Sequence, residues 1–286
     1  MGSALCVYDA NWPPKAKWSV DGTPDLSDKT ILVTGGNGGI GKETVKALLL
    51  RNAKVYIASH NEARVDAAID ELERMTQKKA SLIELDLASL SSVKAAAHAF
   101  QNLESKLDFL LHLFKGVIMP PTDAVTRDDY DLQFGLNAVG HYYSTRLLIP
   151  ELLATGSSRI VRVTSHGHTL VDGIKWETLR DGPERRKTKL FDLYNQSKFV
   201  SFSNLLSSRS WCCFDIRPSR RNCDQLGTKH VSLAQAFAQY DSTKGALTSL
   251  YAATSPQALN ANGKYLIPWA RVGKAHPPTH DVELGA

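Results

Sequence analysis

Residues 30–46 read Thr-Ile-Leu-Val-Thr-Gly-Gly-Asn-Gly-Gly-Ile-Gly-Lys-Glu-Thr-Val-Lys. Thr30 to Val33 is a short β-branched and apolar run, which predicts a buried strand. Glycines then crowd positions 35 to 41. Beyond them Ile40, Val45, Leu48 and Leu49 recur at helical spacing. The stretch is therefore strand, glycine turn, helix. Glycine lets another backbone come close, and a helix start presents unpaired N–H groups and its positive dipole end. That combination suits a pyrophosphate. The spacing Gly35-x-x-x-Gly39-x-Gly41, preceded by Thr34, differs from the common G-x-G-x-x-G fingerprint. Without its flanking strand and helix it would read as an ordinary loop.

The same alternation continues outward. Lys54–Ser59 is a second predicted strand, and Asn61 caps a helix to about Met75 with Val65, Ala68, Ile69 and Leu72 on one face. Ser81–Leu85 is the third strand and Ser89–Leu103 the third helix. Leu107–Phe114, Arg159–Thr164, Trp211–Ile216 and Lys264–Ile267 complete the strands, the last being the final one expected. Asn137–Leu153, Phe191–Ser207 and Ser242–Ala253 supply further helices, Asn137 standing at the start of the first. This pattern predicts an α/β chain: one Rossmann-type, doubly wound parallel sheet in a single domain at 29–286, with residues 1–28 as an arm anchored by Trp12 and Trp18. In such sheets the ligand lies beyond the carboxyl ends of the strands.

Composition is that of an ordinary globular protein: 286 residues, 43% hydrophobic, 22% charged, net charge +5. The basic runs Arg185-Arg186-Lys187 and Arg220-Arg221 are short, so no nucleic-acid partner is expected. Cys6, Cys212, Cys213 and Cys223 show no metal or redox spacing, which suits a reducing, cytoplasmic setting. No signal peptide, lipidation site or integral membrane segment is expected. The expected partner is a small-molecule substrate, and association with further copies of the chain is left open.

The chemistry-bearing residues follow in order. Tyr194 and Lys198 are four apart in a predicted helix and share a face. An ammonium beside a phenol favours the phenolate and makes it a usable general acid and base. Ser165 ends the fifth strand, where a hydroxyl can meet a carbonyl oxygen. Asn137 could be a plain helix cap. Each residue has a bland alternative when taken singly. Together, behind this glycine turn, they point to one site.

Here the chain resembles the short-chain dehydrogenase/reductase family, and most closely its retinol-dehydrogenase-like branch with many fungal members. The resemblance spans roughly residues 15–275. It rests on Thr34-Gly35-x-x-x-Gly39-Ile40-Gly41, Leu85-Asp86-Leu87, Asn137 within Gln-Phe-Gly-Leu-Asn-x-x-Gly-His, Ser165, Tyr194-x-x-x-Lys198 and the stretch Asn262 to Arg271. It implies a nicotinamide-dependent oxidoreductase working between an alcohol and a ketone or aldehyde. Tyr194 would exchange the proton, Lys198 assist it and bind the ribose, Ser165 hold the carbonyl, and Asn137 position a water. Gly35, Gly39, Ile40 and Gly41 would hold the cofactor, and Asp86 its adenine. No acid ends the second strand, where Ser59-His60-Asn61-Glu62-Ala63-Arg64 follow, so NADP is expected over NAD. By the same resemblance, a hydrophobic terpenoid or polyketide intermediate is the expected substrate class.

Three departures stand beside this. Leu113-Phe114-Lys115-Gly116 replaces the family's Asn-Asn-Ala-Gly. Pro218-Ser219-Arg220-Arg221 replaces a Pro-Gly turn. The segment from Trp211 to Tyr240 is shorter and less apolar than the family's substrate region. They support an alternative, a degenerate member that binds a nucleotide or a partner without turnover.

Overall fold

Alternation along the first strand decides where both layers of helices go. In β1 (Thr30–Thr34), Ile31 and Val33 face one layer while Leu32 and Thr34 face the other. The computed structural model describes residues 13–113, 116–203, 211–215, 241–261 and 263–274. After β1 come α1 (Gly39–Leu50), β2 (Lys54–Ser59), α2 (Glu62–Thr76), β3 (Ser81–Glu84), α3 (Leu90–Leu103) and β4 (Phe109–His112). Asn61 caps α2, accepting from the Arg64 N–H at 3.0 Å, and Ser89 caps α3 in the same way.

The expected long helix from Asn137 to Leu153 is broken and begins earlier. α4 (Leu132–Phe134) is capped by Asp131, whose carboxylate accepts from the Phe134 N–H at 2.9 Å. It runs into a π-turn, Gly135–Val139, then α5 (Gly140–Leu147) and α6 (Ile149–Leu153). Asn137 therefore sits inside a wide turn and caps nothing. Pro150 near the start of α6 lacks an N–H, which forces the break at Leu148. Then follow β5 (Arg159–Thr164), the short α7 (Pro183–Lys187), α8 (Leu190–Ser203), β6 (Trp211–Asp215), α9 (Ser242–Thr254), β7 (Tyr265–Ile267) and β8 (Arg271–Val272). The last is a correction, because Tyr265–Ile267 is not the final strand. Two residues are too few for a readable alternation.

The sheet order is β3-β2-β1-β4-β5-β6-β7-β8, with only the β7–β8 pairing antiparallel. The chain winds outward from β1 to β3, then returns to β4 on the other side. The crevice at the carboxyl ends of β1 and β4 is the switch point of a doubly wound sheet. One core packs α1, α2 and α9 on Ile31, Val33, Val55, Ile57, Phe109 and Val161. The other packs α3, α5 and α6 on Leu32, Tyr56, Ile83, Leu110 and Ile160. Trp18 lies against the first core, edge-on to Tyr251, as an anchor of the preceding segment; Trp12 lies outside the described residues.

The amino ends of the strands are tied separately. Lys29 Nζ and the Thr30 N–H both donate to Asp108. Arg159 Nη1 donates to the carbonyls of Ala252, Ala253 and Ser255 at the end of α9, where the helix carries its negative end. Among the described residues no helix is long and apolar enough to cross a membrane.

Candidate active site

The glycine turn is built by close approach. A Cβ at Gly41 would lie 2.1 Å from the Gly35 carbonyl oxygen, so only glycine lets α1 start this near β1. At Gly38 and Gly39, by contrast, an added Cβ would meet nothing within 4 Å. Gly38 caps α1 with no side chain of its own, leaving the helix start open toward this space. That open cradle fits the pyrophosphate of a dinucleotide. Ile40 turns its side chain the other way, onto Gly245 of α9, and serves as a packing anchor. Asp86, after β3, is held by its own turn: Oδ1 accepts from the Ala88 N–H at 2.9 Å, and Oδ2 lies 3.7 Å from Arg127. Asn61 spends its side-chain oxygen on the cap of α2.

The wide turn around Asn137 is braced from two sides. Its Nδ2 donates to the Val117 carbonyl at 3.1 Å and to Ser197 Oγ at 3.0 Å, and its Oδ1 accepts from the Val117 N–H at 3.0 Å. Ser197 passes its own hydrogen to the Tyr194 carbonyl at 2.7 Å. The buried carboxamide thus has both hydrogens and its oxygen engaged. What Asn137 presents beyond that is its main-chain carbonyl, which accepts from His141 Nδ1 at 3.3 Å.

Lys198 and Tyr194 lie on one face of α8, as the four-residue spacing predicts. Both are buried, and Lys198 Nζ is 5.7 Å from the centre of the tyrosine ring. Phe191, one turn earlier, stacks nearly parallel to Tyr194 at 6.4 Å and leaves much of its own ring in solvent. Ser165 opens the short turn His166–Thr169 that packs on α8. There a Cβ at Gly167 would come within 2.4 Å of Asn195 Oδ1, so glycine sets how closely the serine turn meets the tyrosine helix. Ser165 Oγ accepts from the Gly167 N–H at 3.2 Å, which leaves its hydroxyl hydrogen to donate.

The structure thus brings Asn137, Tyr194 and Lys198 together, with Ser165 on the turn beside them. Gly38 and Gly39 open onto the neighbouring crevice, while buried Gly41 packs against the Gly35 carbonyl. Leu113 is buried in the core and Gly116 adopts φ +80° at the site; Phe114, Lys115 and the Pro218–Arg221 segment lie outside the described residues. Sequence reasoning missed Ser197, although it adjoins Lys198. It also missed Arg185, which is wholly buried, donates to Asp131 at 2.9 Å and braces the loop before α4 through the carbonyls of Thr122 and Ala124. Its place in a basic run reads as solvated surface.

The comparisons agree with this geometry. The short chain dehydrogenase family model matches residues 29–174. A short-chain dehydrogenase/reductase of Armillaria gallica is 39% identical over 297 residues, covering 100% of this chain and 96% of that protein. Retinol dehydrogenase 12 of Mus musculus is 34% identical over 185 residues, 64% of this chain and 56% of its own. A crystal structure of an uncharacterized protein from Mycobacterium paratuberculosis superposes with a TM-score of 0.73 at 25% identity, covering 95% of this chain and 94% of its own. A glycine turn at the switch point, a Tyr-x-x-x-Lys helix beside it and a relative matched along nearly its whole length have one common explanation: the chain belongs to the short-chain dehydrogenase/reductase family.

Proposed function

We propose that this oxidoreductase uses NADP to interconvert an alcohol with a ketone or aldehyde on a hydrophobic substrate. The observation that carries the reading is the position of Lys198 Nζ. It lies beside the Tyr194 ring and would be 3.2 Å from a Cβ at Gly116, which would itself be 2.3 Å from Asn137 Oδ1. Tyrosine, lysine and asparagine therefore meet at one point of the crevice.

The bound nicotinamide supplies or takes the hydride. In the reducing direction, Tyr194 gives its phenolic proton to the substrate oxygen. Lys198 stabilises the phenolate left behind. Ser165 donates its free hydroxyl hydrogen to the same oxygen, holding the carbonyl in line. Asn137 would hold a water through its main-chain carbonyl, both hydrogens of its carboxamide being already donated within the protein. Gly38 and Gly39 leave room for the pyrophosphate. Absence of an acid at the end of β2 favours the phosphorylated ribose, with His60 and Arg64 exposed beside it. Asp86 takes the adenine side. Leu170, Trp176 and Phe191 expose large apolar surfaces after Ser165 and ahead of Tyr194, which suits an apolar substrate such as a terpenoid or polyketide intermediate.

Calorimetric titration with NADPH and NADH, run beside turnover of a ketone and aldehyde panel, tests this. Tighter binding of NADPH with hydride transfer is expected, and Tyr194→Phe should remove most of the activity. Near-normal turnover in that variant would refute the tyrosine's role. Cofactor binding with no turnover of any carbonyl would favour a nucleotide-binding member without catalysis.

A further inference from the structure

In the pairing of β1, β4 and β5, Thr34 lies opposite His112, and His112 opposite Arg162. Parallel strands in register point such residues to one face. A polar row therefore runs across the carboxyl end of the sheet, beneath α5. His141 of α5 sits on that row, almost fully buried, with its ring centre 4.5 Å from that of His112.

Counting donors fixes both rings. The Asn137 carbonyl can only accept, so His141 Nδ1 carries a hydrogen and donates across 3.3 Å. A neutral ring then has a lone pair at Nε2, and the Thr34 hydroxyl donates to it, also across 3.3 Å. Thr145 donates its hydroxyl hydrogen to the His141 carbonyl at 2.9 Å, so His112 Nε2 must donate to Thr145 Oγ1 at 2.9 Å. Among the described residues, the groups bearing charge on His141 are Arg162 of β5 and Lys198 of α8, with His112 of β4 against its ring. Burial first, then the positive charge of Arg162, holds His141 down to about 3. It is therefore neutral at any ordinary pH, as the donor count requires.

We propose that His141 is a positioning residue. It ties the main-chain carbonyl of Asn137 to Thr34, the residue that opens the glycine turn, and so keeps the cofactor cradle and the catalytic helix in register. One ring spans the two halves of the site: one nitrogen acts on the Tyr-Lys side and the other on the dinucleotide side. The kinetic part of this proposal rests on the oxidoreductase reading above; the bridge itself does not.

Two measurements test it. In protein labelled with nitrogen-15 histidine, the His141 ring should show the neutral Nδ1–H form throughout about pH 5 to 8. An Nε2–H ring, or titration in that window, overturns the bridge whether or not any substrate is turned over. The second measurement splits the ring's two arms. His141→Asn keeps a donor where Nδ1 stands and loses the contact to Thr34, so it should raise the KM and Kd for NADPH about tenfold, with a smaller fall in kcat. His141→Gln reaches Thr34 but loses the donor to Asn137, so kcat should fall about tenfold with a smaller change in Kd. Thr34→Val should behave like His141→Asn. Equal losses in the Asn and Gln variants at wild-type melting temperature would overturn the proposal. If the wild-type protein reduces no carbonyl, the oxidoreductase reading fails, and the tautomer together with the NADPH Kd of these variants decides the bridge. If the histidine variants do not fold, the tautomer in the wild-type protein decides it.

Discussion

The alpha carbon of Gly116 faces the Asn137 carboxamide so closely that a methyl group there would lie 2.3 Å from Oδ1. The backbone at Gly116 is also left-handed, at φ +80°. Gly116→Ala thus meets a steric and a conformational penalty together. A loss of about 2–4 kcal/mol in folding stability is expected. Turnover should fall at least about 100-fold, because the same methyl group would also crowd Lys198 Nζ at 3.2 Å. Urea unfolding and steady-state kinetics check the two effects separately.

The glycine turn allows a cleaner separation of binding from folding. Gly38 has φ −164°, which any residue adopts, and a side chain there would enter open space. Gly38→Ala should leave the melting temperature within about 2 °C of the wild type. If the dinucleotide occupies that space, its affinity drops by about tenfold or more. Gly41→Ala should lose both, since its methyl group would meet the Gly35 carbonyl at 2.1 Å. Fluorescence titration with NADPH beside thermal unfolding distinguishes them.

Arg185 and Asp131 form an ion pair with both side chains wholly buried. Removing one partner leaves the other charge in the interior without its match. Arg185→Met should cost about 3–5 kcal/mol, read as a lowered urea midpoint. Pairing it with Asp131→Asn should restore part of that loss, because the asparagine still caps α4 without leaving a bare charge.

Acid should weaken the fold through the two buried histidines. Burial, chiefly, holds His112 well below 6.5 and His141 at about 3. In the unfolded chain both rings bind protons near 6.5, while in the fold they stay neutral. Their stabilising contribution is thus complete above that pH and shrinks as pH falls below 6.5, for His141 down to about 3. Each adds up to about 1.4 kcal/mol per pH unit, and both together about 2.7. Urea unfolding at descending pH should show this slope, and His112→Leu should halve it.

How much of this could be read beforehand depends on how local each cause is. β2, β5 and the cap of α2 at Asn61 were legible because a short run of strand-forming residues and a side-chain cap are each set by near neighbours. Tyr194 and Lys198 were legible because one helix carries both. The π-turn at Gly135–Val139 was not, since its start is set by Asp131, which Arg185 holds from 54 residues away. The role of His141 was not either, although the residue closes one of the stretches that carry the family resemblance. Its side chain acquires meaning only when β1, β4 and α5 meet, and a helical histidine carries no sign of that in its neighbours.

Arg159 begins the six-residue strand β5, and Ser165 directly follows its other end. The first is fastened to the tail of α9, the second opens into the crevice. A foundation at one rim and reactive groups at the other let the two evolve apart. Within residues 166 to 190 the exposed Leu170 and Trp176 can change, and with them the molecules admitted under the proposed function, while Gly167 and the buried Arg185 must stay as they are. Those exposed positions are where a new specificity could be grafted at least risk to the scaffold.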